Sequence, residues 1–67
     1  MQFKPGDIIV LKNYARKYIF LVEYLKSNIY TFRVIDSNSR YLRVNDIYYY
    51  NPLSAFSEFK LLLPSIS

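Results

Sequence analysis

The sequence has 67 residues, 52% of them hydrophobic and 19% aromatic, with nine Lys or Arg against five Asp or Glu and a net charge of +4. A chain of this length forms one domain, 1–67, with a small core. It contains no Cys and no His, which excludes disulfides and thiolate nucleophiles and removes the commonest general base and metal ligand. Its five carboxylates occur singly and it has no Gly-rich phosphate loop. We therefore expect no enzymatic activity, no cofactor and no small-molecule substrate.

Hydropathy along the chain argues against a membrane-spanning helix. The longest apolar run, 18–25, is interrupted by Glu23 and is far shorter than the roughly 20 residues that cross a bilayer. The N-terminal segment MQFKPGD lacks the apolar core of a secretory signal. We expect a cytoplasmic protein that does not bind membranes, located in the host cytoplasm or in a virion if the chain is viral.

The first element follows a turn. Pro5 fixes φ and Gly6 supplies conformational freedom, and the side chain of Asp7 can bond local backbone. The run 8–11, with apolar residues at both parities, predicts a strand that is at least partly covered on both sides. The polar and basic segment 13–17 has the composition of an exposed loop.

The centre of the chain is a predicted hairpin with strands over 18–25 and 29–35, joined by Lys26, Ser27 and Asn28. Side chains of alternating parity point to opposite faces of a strand. Thr31 and Arg33 indicate that the odd face of the second strand of this hairpin meets water. The residues predicted to enter the core are Phe20, Val22, Phe32 and Val34, which leaves Ile19, Leu21 and Leu25 on the opposite face.

The second half predicts a fourth strand and a short helix. Residues 36–39 have turn chemistry, and 40–44 then alternates as a strand with Leu42 and Val44 on one face. Three consecutive Tyr at 48–50 cannot all face one way in any regular element. Asn51 and Pro52 read as an N-cap and first helical residue, which predicts a helical turn over 52–57. A last strand over 58–63 ends at the Pro that follows it.

These elements resemble a known family at the level of layout. The segment FKPGDIIVL is similar to the Gly-Asp-apolar start of SH3-like barrel domains, and NPLSAF before FKLLL is similar to the turn that precedes their last strand. The chain has one Gly, fewer than such barrels usually use at their bends. The resemblance implies an all-β fold, a small five-stranded SH3-like partly open barrel with one short helical turn before the last strand. It also implies a binding module, since such domains contact peptides, methylated tails, RNA, DNA, ribosomes or phage particles.

An excess of apolar and aromatic residues favours a protein interface, because a 67-residue core cannot enclose all of them. This size and composition suit a homo-oligomer, or a small subunit or accessory protein of a larger assembly, including a viral or phage particle. The alternative is that the helical turn covers one mouth of the barrel and buries Phe56 with part of the Tyr cluster. The candidate interface residues are Ile19, Leu21, Leu25, Tyr48, Tyr49, Tyr50 and Phe56.

A basic face with interleaved Tyr supports a second hypothesis, nucleic-acid binding, because aromatic rings stack on bases while Arg and Lys meet phosphates. The alternative is an ordinary solvated cross-strand patch, and a net charge of +4 is modest for a domain that works by counterion release. The candidate contacts are Tyr14, Arg16, Lys17, Arg33, Tyr41 and Arg43, with Lys26 and Arg40 at loop edges.

Overall fold

The computed structural model describes residues 3–13, 18–38 and 41–65. Within them a single antiparallel sheet has the strand order β4-β3-β2-β1-β5, so that β1 lies between β2 and β5. The sheet is open, with β4 at one edge and β5 at the other. In chain order the elements are β1 (Ile8–Leu11), β2 (Tyr18–Lys26), β3 (Ile29–Ser37), β4 (Ile47–Tyr50), α1 (Pro52–Glu58) and β5 (Phe59–Leu63). The predicted fold class, a small all-β and partly open barrel with one short helix before the last strand, is confirmed.

The fourth strand was predicted in the wrong place. β3 continues to Ser37, and the fourth strand is Ile47–Tyr50 rather than 40–44. Residues 41–46 form bends and turns instead, in which Asn45 has φ +79°. The backbone N–H of Asn45 donates to the Val34 carbonyl at 2.7 Å, and the N–H of Val34 donates to the Asp46 carbonyl at 2.9 Å. This left-handed residue turns the chain back so that β4, and not 41–44, pairs with β3.

The β2–β3 hairpin is closed by a two-residue turn. Ser27 and Asn28 have φ of +52° and +61°, the left-handed pair that a type I′ turn requires and that matches the twist of the two strands. Two irregularities interrupt the register. Val22 faces Phe32 but Tyr24 faces Thr31, so Glu23 is an extra residue in β2.

The second irregularity places an extra residue in β3, where Ile19 faces Asp36 while Phe20 faces Val34. Each bulge shifts the alternation of side chains by one position beyond it. Whether a side chain of this hairpin points to the core or to the opposite face of the sheet therefore depends on which side of the bulge the residue lies on.

The turn before β1 is joined to the other end of the chain through Asp7. This buried carboxylate accepts from the backbone N–H of Lys4 at 2.7 Å and from that of Ser65 at 2.6 Å. Gly6 has φ +93°, and a Cβ at this position would lie 2.6 Å from the Ser65 hydroxyl. The predicted local bonding by Asp7 is confirmed. The hydrogen bond from Ser65 also ties the end of the chain to the turn before β1, a contact that the local sequence does not predict.

The core lies on one face of the sheet and is largely aromatic. The predicted core residues Phe20, Val22, Phe32 and Val34 are all buried. Around them the cluster includes Phe3, Ile9, Tyr30, Ala55 and Phe59. The Phe32 ring packs edge-on to Phe59 with 5.0 Å between centroids and stacks on Tyr50 at 5.4 Å. Such ring contacts add about 0.5–1.5 kcal/mol per pair beyond area burial.

The hydroxyl of Tyr30 is the main polar group on this core face. It donates to the Phe3 carbonyl at 3.0 Å, which holds the N-terminal segment over the sheet. Burial raises the pKa of Tyr30, and the negative charge of Asp7 raises it further. Tyr30 is therefore held in its neutral, donating form.

Helix α1 lies between the two edge strands in sequence and begins as predicted. The side chain of Asn51 accepts from the backbone N–H of Ser54 at 2.9 Å, and Pro52 occupies the first turn. At the other end, the N–H of Phe59 donates to the Ala55 carbonyl, so the helix passes directly into β5. The short helix thus carries its one buried residue, Ala55, into the core and places β5 beside β1.

Candidate functional site

The face of the sheet opposite the core, called the outer face below, carries a row of side chains that crosses all five strands. The register joins Leu63 to Ile8, Ile8 to Leu21, Leu21 to Arg33 and Arg33 to Ile47. Directly opposed residues have Cβ atoms about 4.5–5.5 Å apart, so neighbours in this row can touch. Four of the five members are aliphatic. The outer face therefore has a continuous apolar row where a sheet that faces only water usually has polar residues.

The single charge in this row is paired. Arg33 donates through Nε to the carboxylate of Glu23, the residue that bulges from β2. The bulge places Glu23 on the outer face next to Arg33, so the local net charge of the two is zero. An exposed pair of this kind adds little stability, about 0–1 kcal/mol. Its main effect is to remove uncompensated charge from an otherwise apolar surface.

Two exposed tyrosines lie in the row next to this one. Tyr24 faces Thr31 and Thr31 faces Tyr49, which places the three side chains side by side across β2, β3 and β4. Tyr24 is 55% exposed and Tyr49 is 70% exposed, whereas Thr31 between them is only 6% exposed. The prediction that Thr31 meets water was wrong. Its position between two large rings in register explains its burial.

The predicted interface residues divide between the two faces. Ile19 and Leu21 lie half-buried on the outer face, and Tyr49 is exposed there. Leu25 lies beyond the bulge, opposite Tyr30, so it does not share a face with Ile19 and Leu21 as predicted. The residues that pack against the core are Tyr48, Tyr50 and Phe56. The alternation of the three tyrosines, with Tyr49 alone facing outward, agrees with the expectation that they cannot all face one way.

Tyr50 illustrates the environment of the inward tyrosines. Its ring lies 5.0 Å from that of Phe59, edge-on. Burial raises the pKa of Tyr50, and the negative charge of Glu58 and the neighbouring Tyr48 add to the effect. The sequence left open an alternative in which the helical turn buries Phe56 and part of the Tyr cluster. That alternative holds for Tyr48, Tyr50 and Phe56, which pack against the core.

The predicted nucleic-acid contacts are not brought to one place. Tyr14, Arg16 and Lys17, and Arg40, lie outside the described residues. Arg33 is on the outer face in its pair with Glu23.

The remaining two candidates lie in the turn after β3 rather than on a strand. The backbone N–H of Arg43 donates to the Asp46 carboxylate at 3.1 Å, and Tyr41 is exposed in the same segment. The basic sheet face with interleaved Tyr predicted from the sequence was therefore wrong for Tyr41 and Arg43, because 41–46 is not a strand.

The outer-face residues that sequence reasoning missed include Ile8, Tyr24, Ile47 and Leu63. Ile47 was detectable, since it precedes three β-favouring tyrosines. Tyr24 was not, because strict alternation places it in the core and only the bulge turns it outward.

Comparison of the chain with protein-family models, with curated proteins and with solved structures gives no match. In the described part of the chain, no three acidic, His or Cys side chains come together as metal ligands would. Residues 3–13, 18–38 and 41–65 also include no helix with the length and apolar character needed to cross a bilayer.

Proposed function

We propose that this chain is a non-catalytic protein-interaction module and that the outer face is its contact surface, either with a second copy or with another protein in a larger, including a viral, assembly. The observation that carries the proposal is the apolar row through Ile8, Leu21 and Ile47 with exposed Tyr24 and Tyr49 beside it. Exposed apolar patches of this kind mark contact surfaces, and Tyr is enriched in interface cores. The proposal includes the cytoplasmic location expected from the sequence, or a virion.

Charge on the outer face supports the same proposal. Interface cores are depleted in charged residues, and the outer face pairs its central Arg33 with Glu23 rather than presenting it free. Among the described residues, Lys60 lies on this side of the sheet at the β5 edge, in register with Val10. Charge therefore lies toward the rim of the surface, as in known interfaces.

The test is sedimentation velocity across micromolar concentrations together with binding of an apolar fluorescent dye. We expect the chain either to self-associate or to remain monomeric and bind the dye until its partner is added. The double variant Tyr24→Lys with Tyr49→Lys should abolish whichever of these is seen. A monomer that binds no dye would overturn the proposal.

The chain offers a matched control for this variant. Val44 is 52% exposed and Leu53 is 84% exposed, and both lie outside the outer face, so Val44→Lys with Leu53→Lys removes similar apolar area and adds the same charge. Association or dye binding should persist in this control. Equal loss in both double variants would mean that charge, and not the outer face, governs association.

Nucleic-acid binding is the second candidate, favoured by the placement of Arg33 in the row next to the one that contains Tyr24 and Tyr49. Aromatic rings beside a guanidinium can stack on single-stranded bases. Anisotropy of a labelled single-stranded oligonucleotide tests it at physiological salt. Binding that weakens with salt and falls on Arg33→Ala with Arg43→Ala would favour this function over the first, and absence of salt-dependent binding would remove it.

A further inference from the structure

A second surface lies along the edge of the sheet formed by β5, which pairs on one side with β1 and on the other with no strand of the described structure. A cleft of about 470 Å³ runs beside this strand. It is lined by Phe3, Lys12, Phe56, Phe59, Lys60 and Leu61. Its volume is within the range of ligand sites in proteins, and its walls are apolar apart from the two lysines. None of its lining residues belongs to the apolar row of the outer face.

The edge of β5 has backbone groups directed away from β1. The N–H of Lys12 donates to the Glu58 carbonyl at 2.9 Å, which makes these two residues a hydrogen-bonded pair. Lys60 faces Val10 and Leu61 faces Ile9. Because bonded and non-bonded pairs alternate along an antiparallel ladder, we infer that Lys60 bonds to Val10 and that Leu61 turns its N–H and C=O outward. The N–H of Phe59 agrees with this geometry, since it points to helix α1 rather than to β1.

The two lysines decide what can bind at this edge. The ammonium group of Lys12 donates to the Phe56 carbonyl at 2.8 Å, which fixes its charge at the cleft, and Lys60 lies on the edge strand itself. A lysine on an edge strand discourages pairing between two copies, because their charges would face each other. The described residues that line the cleft include no carboxylate. The complementary occupant is acidic, with an apolar side chain for the cleft.

We propose that β5 and its cleft bind an extended acidic segment of a partner protein by strand addition. The segment pairs with the outward N–H and C=O of Leu61 and places an apolar side chain against Phe3 and Phe59. Its carboxylates meet Lys12 and Lys60. Main-chain bonds supply affinity in this mode of recognition, while the pocket and the charges supply specificity.

The test uses two labelled seven-residue peptides, one alternating valine or phenylalanine with glutamate and the other with lysine in place of glutamate. We expect the acidic peptide to bind at least tenfold more tightly than the basic one. Amide NMR signals of 60–63 and of Lys12 should shift on titration. Equal affinity for the two peptides, or shifts elsewhere only, would overturn the proposal.

Charge variants locate the site. Lys12→Glu with Lys60→Glu should weaken the acidic peptide at least tenfold, whereas Lys26→Glu with Arg43→Glu, at two exposed basic residues that do not line the cleft, should weaken it less than threefold. Equal weakening by both pairs would show that only net charge matters and would overturn the proposed site. Circular dichroism verifies that each variant is folded.

Strand addition has its own test. Leu61→Pro removes the outward N–H without removing a bond to β1, and Pro is tolerated on edge strands. Peptide affinity should fall at least fivefold, and retained affinity would overturn strand addition. The outer-face variant Tyr24→Lys with Tyr49→Lys should leave peptide affinity within twofold. Binding at the β5 edge can therefore be tested independently of the proposed outer-face interface.

Discussion

The two faces of this sheet are made by the same strands, and they differ in what covers them. On the core face, Phe20 and Phe32 are enclosed by other rings and by α1. On the outer face, Tyr24 and Tyr49 stand beside an apolar row with no helix above them in the described structure. One face is apolar to stabilise the fold, and the other is more apolar than folding alone requires. That difference directs attention to binding.

The largest expected effect is a difference in the free energy of unfolding between a substitution on the core face and one on the outer face. Phe32→Ala removes a ring that contacts five other aromatic rings and should cost about 3–5 kcal/mol. That is comparable to the whole stability of a domain this small. Urea denaturation followed by circular dichroism should find Phe32→Ala largely unfolded. Tyr49→Ala, on the outer face, should cost less than about 0.5 kcal/mol, and a cost similar to that of Phe32→Ala would contradict the distinction between the faces.

The next largest effect concerns Asp7, whose carboxylate joins the N-terminal turn to Ser65 near the end of the chain. Asp7→Ala removes the acceptor of the Lys4 and Ser65 amides and should cost about 2 kcal/mol, because bonds to a charged acceptor are strong. Asp36→Ala, at an exposed site on β3, is the control and should change the free energy of unfolding by less than about 0.5 kcal/mol. A similar loss in both would mean that Asp7 acts only through net charge.

A smaller effect depends on pH. The pKa of Tyr30 is raised in the folded state, whereas an unfolded tyrosine ionises near pH 10. Above about pH 10 the unfolded state therefore loses its proton first, and stability falls as pH rises toward the folded pKa.

Tyr30→Phe tests this interpretation. At neutral pH it should cost about 1 kcal/mol, because the Phe3 carbonyl loses its donor. Its stability should fall less steeply than that of the wild type as the pH rises above about 10, with the remaining slope due in part to Tyr50, whose pKa is also raised. Parallel pH profiles for the two proteins would be evidence against a neutral, buried Tyr30.

The smallest effect is on the outer face itself. A double-mutant cycle with Glu23→Ala and Arg33→Ala should give a coupling of about 0.5 kcal/mol, because both side chains are partly exposed. High salt should reduce it further. A coupling above about 2 kcal/mol would mean that the pair is a structural element and not a surface feature.

Sequence periodicity predicted the parts of the fold that local chemistry controls. It identified the central hairpin, the fold class, the Asn51 cap and the core positions Phe20, Val22, Phe32 and Val34. These follow from alternation and from residue types with strong local preferences. The SH3-like resemblance beyond that layout stays a prediction.

The errors have two physical causes. Bulges shift the alternation, and Glu23 exchanges the faces expected for Tyr24 and Leu25 without leaving a mark in the sequence. Contacts distant in sequence also override composition. Thr31 is polar but is buried between rings. Residues 41–44 alternate in the sequence but are not a strand, because the chain turns back onto Val34. Much of the candidate outer face depends on these two effects.

The pairing of Asp7 with Ser65 has a consequence for the order of folding, since it joins residues 58 apart in sequence. The β2–β3 hairpin is joined by a two-residue turn and can form within microseconds. The pairing of β1 with β5 requires a long loop to close and is therefore slower. We expect β5 to join last and to open first in native-state fluctuations. Amide hydrogen exchange should then be faster in β5 than in β3, which would make the strand with the open edge also the most readily remodelled part of the sheet.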